Sequence, residues 1–160
     1  MLPSRSIGRV VVLATALGAA TTTGALACPP SLTVERAAGP ASAGDDGAFV
    51  TVRAVHGCHP GTLALAGTAE GLVGGARRSI PLDLTPADTS GVYRVQRQWP
   101  REGVWVLRLT VTEGDGRATA LVGVGPSGDI AVIREPGRRG QGYEVSDADV
   151  TAMLRRLAAR

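Results

Sequence analysis

Residues 91–107 read GVYRVQRQWPREGVWVL, and this stretch decides the fold. Tyr93, Val95, Arg97 and Trp99 share one side of an alternating run, and Trp105, Leu107, Leu109 and Val111 share one side of the next. Alternation with a period of two places successive side chains on opposite faces, which marks a β-strand. Pro100-Arg101-Glu102-Gly103 stands between the runs as a Pro-x-x-Gly turn. The pair is therefore predicted to form a hairpin whose Trp and Tyr rings supply most of the aromatic core. Phe49, Tyr93, Trp99, Trp105 and Tyr143 are the only aromatic residues among the 160, so Val, Leu, Ile and Ala must build the remainder.

The same signature extends outward from this stretch. Val50, Val52 and Ala54 point one way while Thr51, Arg53 and Val55 point the other. Leu63, Leu65 and Gly67 alternate, as do Ile80, Leu82 and Leu84, and Leu121 to Val124 and Ile130 to Ile133 follow. Turn residues separate the runs at Gly74-Gly75, Pro86 to Gly91, Gly114 to Gly116 and Pro126 to Gly128. Seven or eight short strands at this spacing predict an all-β fold, an antiparallel immunoglobulin-like β-sandwich over residues 47–134, with a short C-terminal α-helix. Residues 28–46 read as an N-terminal strand around Leu32 to Glu35 and a flexible loop, and residues 135–145 as a Gly/Arg-rich connector.

Residues 146–160 read as an amphipathic C-terminal helix. Ser146 is a good N-cap, and Asp147 and Asp149 complement the helix dipole in the first turn. Val150, Met153, Leu154, Leu157 and Ala158 make one apolar stripe. A helix this short needs a partner for that stripe. Its own sandwich is one such partner, and another protein or a membrane surface is the alternative.

The quoted stretch, with its G-x-Y and P-x-x-G-x-W-x-L pattern, resembles the hairpin of small bacterial exported domains described as YtkA-like or FixH-like. The likeness covers Phe49 to Val124. It implies an immunoglobulin-like fold outside the cytoplasm and, through members of that group, a link to respiratory oxidase and copper handling.

The N-terminus points to the same compartment. Arg5 and Arg9 precede an apolar run from Val10 to about Ala20, and Ala25-Leu26-Ala27 is a small-residue cleavage site, so residues 1–27 read as a signal peptide. Periplasmic or extracellular placement follows. Cleavage after Ala27 leaves Cys28 first, which opens lipoprotein processing as an alternative. Leu26 stands two residues before Cys28, whereas the usual lipoprotein box has Leu three before it. Contact with a membrane is expected only if Cys28 is acylated.

Composition excludes several functions. Removing residues 1–27 takes away Arg5 and Arg9 and no acidic residue, leaving 15 basic against 14 acidic residues, a net charge of +1. Every basic residue is Arg, and the chain lacks both Lys and Asn, as a GC-rich coding bias would produce. The doublets Arg77-Arg78, Arg138-Arg139 and Arg155-Arg156 are scattered and lack aromatic neighbours spaced for base stacking, so nucleic acid is not an expected partner. The expected partner is an unidentified protein of the cell envelope. About 133 mature residues suffice for one domain and its core.

One loop has the residue types for chemistry. His56-Gly57-Cys58-His59-Pro60-Gly61 holds both histidines and the only cysteine besides Cys28. A thiolate and two imidazoles suit Cu(I) or Zn(II), which makes His56, Cys58 and His59 a candidate metal set. Two cysteines in an exported domain also suit a Cys28–Cys58 disulfide, which would constrain the unfolded chain by about 3 kcal/mol. A surface loop with neither role is the third reading. The three are coupled, because acylation of Cys28 would leave Cys58 a free thiol. No cofactor is otherwise expected, copper being the exception.

Gly123-Val124-Gly125-Pro126-Ser127-Gly128 matches a dinucleotide-binding spacing but precedes another strand pattern, so no helix N-terminus is expected to hold a pyrophosphate. Ser90, Ser127 and Asp88 lie in turn-like sequence, and no G-x-S-x-G elbow occurs. An enzyme is not expected, and a binding or scaffolding module is.

Overall fold

The computed structural model describes residues 29–37, 47–57, 62–135 and 145–160. These form β1 (Ser31–Arg36), β2 (Val50–Val55), β3 (Ala64–Val73), β4 (Ala76–Leu82), β5 (Leu84–Pro86), β6 (Val92–Val95), β7 (Val104–Glu113), β8 (Gly116–Val124), β9 (Ile130–Arg134) and α1 (Asp147–Ala158). Residues 1–28, the segments 38–46 and 58–61 and the connector residues 136–144 lie outside the described residues.

The strands make two antiparallel sheets, one in the order β1-β2-β6-β5 and the other in the order β4-β3-β7-β8-β9. This is the immunoglobulin arrangement of ABED against CFG, with β4 added beside β3 and β9 added outside β8. The predicted all-β sandwich with a C-terminal helix is what the chain forms. Between the sheets, Leu32, Val34, Val50, Val52 and Ala54 meet Leu107, Leu109, Val111, Ala120 and Val122, all buried. These are the alternate residues of each strand, as period two requires.

Two connections differ from the expected ones. The strands around Pro100–Gly103 do not pair with each other: β6 pairs with β2 and β5, whereas β7 pairs with β3 and β8. The Pro-x-x-Gly segment is a crossover between sheets rather than a hairpin turn. β6 stops at Val95 and the chain bends inward, burying Trp99 edge-on against Phe49, with ring centroids 5.2 Å apart. Gly103 then takes φ +83°, a backbone region costly for residues with a Cβ, and a Cβ there would strike the Leu72 carbonyl oxygen. The Trp105 indole N–H donates to the Glu102 carbonyl at 2.9 Å and holds the crossover.

The run Ile80-Leu82-Leu84 likewise divides at Asp83, with β4 in one sheet and β5 in the other. The Gln98 amide clamps this switch, accepting from the Asp83 N–H and donating to the Asp83 carbonyl, both at 2.8 Å.

The helix lies on the outer face of the five-stranded sheet. Val150, Met153, Leu154 and Leu157 pack on Val104, Val106 and Leu121, so the first half of β7 is apolar and buried on both faces. Gly123 allows the close approach: a Cβ there would meet Val132 at 2.7 Å and Leu157 at 3.2 Å. Ala158, expected in the stripe, is exposed. Ser146 caps the helix as predicted, with Asp149 completing a capping box. Arg108 donates to Asp147 and to the Val145 carbonyl, each at 2.9 Å, and Arg77 donates to Thr151 at 2.8 Å.

Side chains also bind the outer margins of β1 and β9. The Val34 N–H donates to the Glu135 carboxylate at 2.8 Å, and Arg36 donates to the Ile130 carbonyl at 2.9 Å. Leu157→Ala is expected to lower stability by about 2–4 kcal/mol. Ala158→Ser is expected to change it by about 0.5 kcal/mol or less. Urea unfolding followed by tryptophan fluorescence checks both.

Candidate functional site

His56 and Gly57 follow β2 as the chain leaves the four-stranded sheet, and the facing sheet meets them with Glu113, the last residue of β7. His56 Nδ1 lies 2.7 Å from Glu113 Oε1, and the Gly57 N–H donates to Oε2 at 2.8 Å. The Glu113 side chain is only 6% exposed, whereas that of His56 is 47% exposed. Burial of a carboxylate is costly unless donors replace its water. Donation from Gly57 and His56 supplies that replacement.

The arrangement fixes the imidazole. When the Glu113 carboxylate is ionised it has no proton to give, and Nδ1 then carries the one they share. In the neutral ring the remaining lone pair is then on Nε2, the atom free to take a proton or a metal. Metal-binding histidines are oriented by carboxylates in this way.

Glu113 was not among the residues singled out from sequence. One signal could have found it: it continues the inward-facing series Trp105, Leu107, Leu109 and Val111 by two residues. A carboxylate on that side of the strand must face the other sheet.

Of the candidate metal set, His56 is described, while Cys58 and His59 lie outside the described residues, as does Cys28. The metal and disulfide readings thus extend beyond the described residues. Among the described residues, no group of three or more His, Cys, Asp and Glu side chains gathers to hold a metal ion. No helix among them is long and apolar enough to cross a membrane. The Gly123–Gly128 motif forms the turn between β8 and antiparallel β9, closed by the Gly128 N–H on the Gly125 carbonyl at 2.9 Å. A strand follows it where a dinucleotide site needs a helix.

A second cluster occupies the other end of the sandwich. The Arg97 guanidinium sits 5.1 Å from the Phe49 ring centroid and 5.6 Å from that of Trp99, and it donates to the Gly128 carbonyl at 2.6 Å. Burial, then the nearby Arg101, pulls its pKa below the ordinary arginine value, and Asp129 opposes them. A cleft of about 230 Å³ opens beside it between Arg36, Phe49, Gly128 and Asp129. Arg97 is committed to ring faces and a carbonyl, which is a packing role.

The chain matches no protein-family model, no curated protein and no solved structure. For the His56 site, nitrogen NMR at a pH where the ring is neutral is expected to report the Nδ1–H tautomer. Glu113→Ala should abolish that preference and cost about 1–3 kcal/mol, since the Gly57 N–H loses its acceptor.

Proposed function

We propose that this chain is an exported, non-enzymatic immunoglobulin-like module that binds or scaffolds a component of the cell envelope. The observation that carries the reading is the unequal treatment of the two outer sheet faces. The helix covers much of the five-stranded one. On the four-stranded one, Glu35, Thr51, Arg94 and Thr85 form one cross-strand row, and Thr33 stands opposite Arg53 in the next. All of these are exposed except the half-exposed Thr51. This face, which also carries Val55 and Val92, is built on paired strands and presents donors and charges to a partner at low ordering cost. The signal-peptide pattern of residues 1–27 and the resemblance to the YtkA-like and FixH-like group support placement in the periplasm or outside the cell.

Crosslinking in intact cells tests this reading. The native chain should give a discrete adduct, and a double Arg53→Glu, Arg94→Glu variant of unchanged stability should reduce it at least about 10-fold, as loss of interface charge complementarity predicts. An adduct indifferent to both changes would place the binding surface elsewhere.

A second reading, copper binding or transfer through His56, Cys58 and His59, is favoured by the grip of Glu113 on His56 Nδ1. Cu(I) titration of the reduced protein checks it. Replacing both histidines with Ala should weaken affinity by about 10–100-fold or more, and unchanged affinity would dismiss copper.

A further inference from the structure

One end of the sandwich gathers three segments that are remote in sequence. β1 ends at Arg36, Phe49 stands just before β2, and the Gly125–Gly128 turn leads through Asp129 into β9. Backbone bonds hold two of them in place: the Phe49 N–H donates to the Val95 carbonyl at 2.7 Å, and the Gly125 N–H donates to the Asp129 carbonyl at 3.0 Å. Arg36, Phe49, Gly128, Asp129 and Ile130 line the cleft of about 230 Å³ between them.

Gly128 brings Arg97 to the same place. Its φ of +84° and its lack of a side chain let the guanidinium lie on the turn, where a Cβ would meet Nη2 at 3.0 Å and Nη1 at 3.2 Å. The glycine motif that holds no dinucleotide thus seats a cation.

This cluster has more donors than acceptors. A guanidinium carries five N–H groups. Arg36 donates to the Ile130 carbonyl and Arg97 to the Gly128 carbonyl, and neither forms an ion pair with a described residue. The Trp99 indole nitrogen, in the ring under Arg97, is buried and has no hydrogen-bond partner among the described residues. Burial and the nearby Arg101 disfavour the charge on Arg97, and Asp129 opposes them. A cation placed in this way gains from an anion beside it.

The walls narrow the choice of anion. A cavity of about 150 Å³ takes benzene, so this cleft has room for a ring and a charged group. Phe49 and Ile130 offer apolar surface to the ring, and the planar guanidinium fork matches a carboxylate. Asp129 repels a second negative charge, which disfavours phosphate dianions and dicarboxylates.

We infer that this cleft binds a small organic monocarboxylate, its charge beside Arg36 and Arg97 and its apolar body on Phe49 and Ile130. The inference goes beyond the envelope-partner reading and does not rest on it. Neither Arg53 nor Arg94 lines the cleft, so the double variant that reduces crosslinking should bind the carboxylate as the native chain does.

Nitrogen–proton NMR of the labelled protein titrated with benzoate tests the site. The amides of Phe49, Gly128 and Asp129 should shift together and saturate, with half-saturation at about 1 mM or below. Arg36→Gln, its fold confirmed by unchanged amide positions elsewhere, should weaken binding at least about 10-fold, as loss of a charged donor predicts. Asp129→Asn should instead bind benzoate more tightly and admit phosphate, a gain that a purely structural role would not produce. Absence of saturable shifts, equal binding of uncharged benzyl alcohol, tighter binding of phosphate by the native chain, or benzoate affinity indifferent to Arg36→Gln would each overturn the inference.

Discussion

Burial of the first half of β7 on both faces is the constraint from which the rest of the architecture follows. Its inward residues Trp105, Leu107, Leu109 and Val111 meet the facing sheet, and its outward residues Val104 and Val106 are equally removed from water. An antiparallel sheet with one solvated face would carry polar residues there. The outward apolar pair instead requires a cover, and α1 is that cover. A 12-residue helix is marginal by itself in water, so strand and helix depend on one another. Where the outward series turns polar at Arg108, that side chain grips the start of the helix through Asp147 and the Val145 carbonyl.

A strand fixed on both faces cannot slide, and this immobility reaches its two ends. At one end Trp105 lies over Gly71 and the crossover is held by its indole N–H. At the other end Glu113 stands at a set depth beneath the chain leaving β2, where it receives His56 and Gly57. The orientation of the imidazole is thus a consequence of core packing some distance away. Site geometry supported by packed elements is more precise than geometry left to a loop.

Much of the fold was legible in sequence because period-two alternation reports strands directly, as at β2 and in the inward residues of β7. Alternation does not report which strand is the partner. The Pro100–Gly103 segment has a length that suits either a hairpin or a crossover. The choice fell to long-range terms, with Arg97 drawn to the Phe49 and Trp99 rings and Gln98 to the Asp83 backbone. Asp83 was legible as a polar residue within an apolar alternation but not as the point where the chain changes sheets. Ala158 was assigned to the helix stripe by spacing, yet the sheet is met by the preceding four apolar residues alone. At the site, His56 was conspicuous as one of two histidines. Glu113, hidden in a turn-like acidic segment, needed the strand's facing pattern to be followed to its end.

The contacts along the outer margins of β1 and β9 bear on how the chain behaves among its own copies. An uncovered strand margin is a row of backbone donors and acceptors to which any extended segment can add. Here the Val34 N–H is occupied by Glu135 and the Ile130 carbonyl by Arg36, each reaching from the opposite sheet's side of the molecule. Two side chains thereby make both margins poor templates for further strands. The same pair of contacts that ties the sheets together acts against open-ended polymerisation.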